Sequence, residues 1–105
     1  MLCVSESRFI EFLVHIQISL PPDMDVEARS DLLERERKRG LELRGSGTIV
    51  RIWRIPGQFA NVGVWEAADA TELHAALSSL PLFPWMRAQV TPLATHHLES
   101  ESEST

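Results

Sequence analysis

Cysteine is nearly absent. The single Cys3 among 105 residues excludes an intrachain disulfide and any CxxC metal pair. Positive charge is in deficit. Ten Lys and Arg against fifteen Asp and Glu leave a formal charge of −5 and a pI near 5.3, so no basic face is available for a phosphate backbone and nucleic acid is not an expected partner. Long hydrophobic runs are missing too: none approaches the roughly 18 apolar residues that a membrane span needs. The opening M-L-C-V-S-E-S-R has neither the basic n-region nor the apolar h-region of a signal peptide, and a cytoplasmic protein is the expectation. The chain has no G-x-G-x-x-G, no P-loop and no G-x-S-x-G. His96 and His97 are adjacent but have no spaced third ligand, so no metal site is expected.

What is present suits a small folded unit. Hydrophobic residues make up 44% of the chain, enough for one domain with a modest core that gains from pairing with another copy. Residues 1–8 form an unpatterned N-terminal extension, 9–95 a single domain. Residues 96–105, acidic and serine-rich, cannot fold alone.

The segment Phe9–Leu20 alternates. Ile10, Phe12, Val14, Ile16 and Ile18 fall on one side, and Glu11, Leu13, His15, Gln17 and Ser19 on the other, the signature of a half-buried strand. Pro21-Pro22 ends it. Asp23 or Asp25 is placed to cap a helix from about Val26 to Leu43 or Arg44. Leu32, Leu33, Gly40 and Leu43 share one arc of that helix, and Glu36 lies inside the arc, flanked by Arg29 and Arg39. Gly45-Ser46-Gly47 supplies a glycine for a left-handed cap.

Thr48–Glu66 reads as a hairpin about Pro56-Gly57, because Pro presets φ and Gly supplies positive φ. Arg51, Trp53, Arg54 and Asn61 crowd around that turn, which points to a polar site at one end of a sheet. Val62 and Val64 share one side of the second arm; Asn61, Gly63 and Trp65 share the other. Asp69-Ala-Thr-Glu72 is a capping box opening a helix with a stripe of Leu73, Ala76, Leu77 and Leu80. Pro81 and Pro84 stop it and are expected to force an extended, apolar connection. Met86–Thr95 is the last strand, with Pro92 suited to an edge.

The order β-α-β-β-α-β predicts an α+β, ferredoxin-like fold: a four-stranded antiparallel sheet with both helices on one face. The other face is expected to carry Leu13, His15, Asn61 and Trp65 and to be covered by a second copy, leaving a lined cavity between the two sheets.

Leu20-Pro21-Pro22-Asp23-Met24-Asp25, the helix with Glu36, Trp53-Arg54-Ile55-Pro56-Gly57, Ala60-Asn61 and Leu80-Pro81-Leu82-Phe83-Pro84 together resemble the muconolactone Δ-isomerases, from about Glu11 to about Leu93. The resemblance implies a dimeric α+β barrel that assembles into a decamer. It also implies a cofactor-free isomerisation of muconolactone to the 3-oxoadipate enol-lactone in aromatic catabolism. This chain departs from the family by carrying Gln58-Phe59 where members have His-Tyr, and His15 where a lysine occurs. Two other readings of the same barrel are a non-catalytic module binding a small acidic ligand and a cofactor-free monooxygenase.

The implied reaction is a 1,3-proton shift, with negative charge building on the lactone carbonyl oxygen. Glu36 is the first candidate base, because a carboxylate on an apolar arc loses hydration and its pKa rises. The plainer reading of Glu36 is an ion pair with Arg29 or Arg39. His15 is the second candidate, as a proton relay, against a hydrogen-bonded lining histidine. Arg54 is a candidate clamp for the substrate carboxylate, against a surface salt bridge, and Asn61 a donor to the oxyanion, against a local turn contact. Gln58, Phe59 and Trp53 complete the substrate-binding set; ordinary packing is the alternative for the aromatic groups.

Overall fold

The computed structural model describes residues 9–99; Cys3, the extension 1–8 and the end of the acidic tail lie outside them. Strand β1 (Ile10–Ile18) is followed by helix α1 (Val26–Gly45), the strands β2 (Ile49–Arg54) and β3 (Ala60–Ala67), helix α2 (Ala70–Ser78) and strand β4 (Met86–Leu93). All pairings are antiparallel and the sheet order is β2-β3-β1-β4. This is the ferredoxin-like βαββαβ arrangement.

Local chemistry sets the boundaries. Asp25 Oδ2 accepts from the Glu27 and Ala28 N–H groups at 3.1 Å and starts α1. Gly47, at φ +84°, ends it by donating to the Arg44 carbonyl. Gly57, at φ +78°, makes the hairpin turn. The capping box of α2 closes in both directions: Glu72 N–H donates to Asp69 Oδ1 at 2.8 Å, and Ala68 N–H to Glu72 Oε1 at 2.6 Å.

One face of the sheet is covered. Phe12, Val14, Ile16, Ile18, Ile49, Trp65 and Ala67 pack with Leu32 and Leu43 of α1, Leu73 and Leu77 of α2, and Leu80 and Leu82 beyond it. The side of α1 that faces the sheet buries only Leu32 and Leu43, and Val26, placed at the edge of its arc, is 79% exposed.

Two expectations are corrected. Leu80 to Trp85 is not an extended connection. Pro84 sits inside a 3-10 turn, Phe83–Trp85, where its missing N–H costs no helical hydrogen bond. Asn61 and Trp65 do not lie on the open face. Trp65 pairs with Phe12 and Asn61 with Ile16, so both point towards the helices, and Trp65 is 1% exposed. The open face carries Leu13 and His15 together with their partners Val64 and Val62. Both sides of β3 are apolar enough to be buried. The larger indole fills the space under the helices, and the valines are left outside.

No helix among the described residues is long and apolar enough to cross a membrane.

Candidate functional site

Glu36 stands one turn after Leu32 and two turns before Leu43, the two buried residues of α1, so its carboxyl is drawn against the sheet side. It is half-buried. Oε1 accepts from the Leu82 N–H at 2.9 Å, and no partner for Oε2 is found among the described residues. Neither flanking arginine neutralises it. Arg39 Nε donates to Ser79 Oγ at 2.9 Å and Nη1 to Glu42 Oε1 at 2.8 Å, while the Arg29 side chain has no polar partner among the described residues. Burial raises the carboxyl's pKa above 4.5, and the Leu82 hydrogen bond offsets part of the rise. The ion pair that was the plainer reading is therefore not formed.

Arg54 and Asn61 are brought together. They pair across β2 and β3 and, with Ile52 and Trp53, line a cleft of about 190 Å³. Arg54 is exposed, and no salt bridge to it is found among the described residues. Asn61 Oδ1 is buried with no hydrogen-bond partner, as is Trp65 Nε1 on the same side of β3. Unpaired buried polar groups cost stability, and two of them on the helix side of β3 mark that layer as a place where a polar ligand has something to gain.

Phe59 lies in a second cleft, of about 510 Å³, with Ile18, Leu20, Pro21, Met24 and Arg29 among its walls. It is held there by its carbonyl, which accepts from the Ile18 N–H at 3.0 Å. Gln58 is exposed in the hairpin turn, its N–H donating to the Ile55 carbonyl at 3.3 Å. Glu36 lines neither of these clefts.

His15 is separated from this set by the sheet, and Trp53, although it lines the edge of the Arg54–Asn61 cleft, belongs to the same open-face row. His15 pairs with Val62 on one side and Gln89 on the other, and Val62 pairs with Trp53, so Gln89, His15, Val62 and Trp53 form one row across the open face. Arg51 belongs to that face too, with its guanidinium carbon 4.9 Å from the Trp53 ring centroid, within cation–π range. The carboxyl of Glu36 and the imidazole of His15 thus lie on opposite sides of one sheet.

Three contributors were missed from sequence: the Leu82 N–H that binds Glu36, the Arg44 guanidinium that binds the Ile49 and Val50 carbonyls, and Gly63, which leaves no room for a Cβ beside the Arg51 carbonyl. Only Gly63 carried a signal, since a glycine inside a strand marks a bulge or a close backbone approach.

The sequence profile of the family described as Muconolactone delta-isomerase matches residues 10–99. The chain is 38% identical over 85 residues to the muconolactone Delta-isomerase of Rhodococcus opacus, an alignment covering 81% of this chain and 91% of that protein. It is likewise 38% identical over 85 residues to that of Cupriavidus pinatubonensis, covering 81% and 92%. The crystal structure of muconolactone isomerase superposes with a TM-score of 0.77 at 36% identity, covering 82% of this chain and 90% of the other.

Proposed function

The chain belongs to the muconolactone delta-isomerase family, and from that premise we propose that it moves the ring double bond of muconolactone to give the 3-oxoadipate enol-lactone, with Glu36 as the proton carrier. The observation that supports this is the state of Glu36: half-buried, free of ion pairing among the described residues, and shifted upwards in pKa. A carboxylate whose pKa is raised by burial accepts a carbon-bound proton better than a fully solvated one does.

In the proposed cycle, Glu36 takes the proton from the ring carbon that bears the carboxymethyl arm. The electron pair delocalises through the ring double bond onto the carbonyl oxygen, forming a dienolate. The same carboxyl then returns the proton to the carbon next to the carbonyl. One hydrogen leaves, one arrives, and no redox partner is needed. Arg54 binds the free carboxylate of the substrate as a two-pronged donor. Asn61, opposite Arg54 in the sheet, supplies an amide N–H to the oxygen where charge develops.

His15 faces away from Glu36. The reading that follows gives the proton transfer to Glu36 alone and leaves His15 lining the open face. That face presents Leu13, 39% exposed, and Trp53, 46% exposed, with Val62 and Val64 between them. A second copy packed sheet against sheet would cover them, which supports a dimer as the basic unit and a decamer as the assembly implied by the family. The same reading places the protein in the cytoplasm.

The test is direct. Purified protein is mixed with muconolactone and the enol-lactone is followed by NMR, for the native chain and for Glu36→Gln. Turnover by the native chain that is lost in the folded variant supports the assignment. Full turnover in the variant removes Glu36 as the base. No turnover by either removes the substrate.

A further inference from the structure

We propose that Arg44 is a positioning residue for substrate recognition: it holds a bulge in β2 that turns Arg54 towards Asn61. The inference rests on the reading of Arg54 as the carboxylate-binding group.

The register shows the bulge. Ile49 pairs with Trp65, but Arg51 pairs with Val64, so Val50 is an extra residue with no partner of its own. Had the first register continued, Trp53 would stand opposite Asn61 and Arg54 opposite Ala60. A one-residue slip exchanges the faces of every later side chain. Arg54 would then join the open face, on the far side of the sheet from Glu36. The bulge instead places Ile52 and Arg54 on the helix side, opposite Gly63 and Asn61, and sends Arg51 and Trp53 to the open side.

Two features maintain this. Arg44 Nη1 donates to the Ile49 carbonyl at 3.3 Å and also to the Val50 carbonyl, so one cation collects the two acceptors at the irregularity. Arg44 lies in the last turn of α1, two residues before the start of the three-residue link to β2, and a cation is also favoured there by the helix dipole. The second feature is Gly63. A Cβ at that position would lie 2.5 Å from the Arg51 carbonyl oxygen and 3.3 Å from the Ile52 Cα, so only glycine lets the bulged strand come this close.

The experiment compares two substrates, muconolactone and its neutral methyl ester, across Arg44→Met, Arg54→Met and the double variant. Arg44→Met is expected to raise KM for the acid roughly tenfold, the scale of one charge-assisted hydrogen bond, with kcat and the ester's kcat/KM unchanged. The double variant should be no worse than Arg54→Met alone, and Arg44→Lys should recover part of the loss. Arg35→Met, on the exposed side of the same helix, should change nothing. If Arg44→Met does not fold, Arg44→Gln takes its place with the same expected selectivity for the acid. If Arg54→Met raises the acid's KM and Arg44→Met (or its substitute) does not, the positioning role is overturned. Equal losses for acid and ester overturn it as well, because they mean a merely structural part. If Arg54→Met itself leaves the acid's KM unchanged, the carboxylate reading falls and takes this inference with it.

Discussion

Glu36 and Leu82 are joined across 46 residues of chain by one hydrogen bond, from the Leu82 N–H to Oε1 at 2.9 Å. Leu82 caps the 3-10 turn of the segment that follows α2. The carboxyl therefore has one oxygen committed to holding that segment and one left for chemistry. An ionised carboxylate in this place is disfavoured by burial and favoured by the bond, and burial is the larger effect.

The first prediction concerns stability and pH. A carboxyl whose pKa is raised in the fold holds its proton more tightly folded than unfolded. Its ionisation therefore weakens the fold as pH rises from the unfolded value, 4.5, up to the folded one, and the penalty is full above that. Glu36→Gln, which keeps an oxygen for the Leu82 N–H, should melt at or above the native temperature at pH 7, and the difference should shrink below pH 4.5. Thermal unfolding followed by circular dichroism at several pH values checks this. A variant clearly less stable at pH 7 would mean that the charge itself supports the fold.

Catalysis should show the same group from the other side. Since the base must be ionised to act, kcat/KM is expected to rise with pH through an inflection above 4.5 and then level. An acid limb that stays at or below the ordinary glutamate range would count against Glu36 as the proton acceptor.

Asn61 permits a separation of roles. Replacing a buried amide whose oxygen is unpaired by leucine removes an unsatisfied acceptor of similar size, so Asn61→Leu should leave the melting temperature unchanged or raised. If the amide donates to the dienolate oxygen, kcat should nonetheless fall about 100-fold or more, as when an oxyanion donor is lost. Retained kcat in a stable variant would confine Asn61 to packing.

The open face is tested by charge. Leu13→Lys or Val64→Lys places an ammonium in the middle of the apolar patch without touching the helix-side core. Sedimentation is expected to show a smaller particle than the native chain, with secondary structure intact. An unchanged particle size would mean that some other surface joins the copies.

Much of the fold was legible because its causes are short-range. Asp25, Gly47, Pro56-Gly57, Asp69 and Glu72 act on backbone groups within a few residues, and the alternation of β1 is unambiguous because only one of its sides is apolar. Glu36 was legible as a candidate because helical periodicity alone puts it in line with Leu32 and Leu43. Packing decided the rest. Both sides of β3 are apolar, so its alternation has two acceptable phases, and only the space beneath the helices chose Trp65 over Val62 and Val64 for the interior. In β2 a single unpaired residue, Val50, reversed every face after it, because side chains in a strand repeat every two residues. The clamp that holds that reversal joins the end of one element to the start of another, a relation in space that no periodicity along the chain expresses.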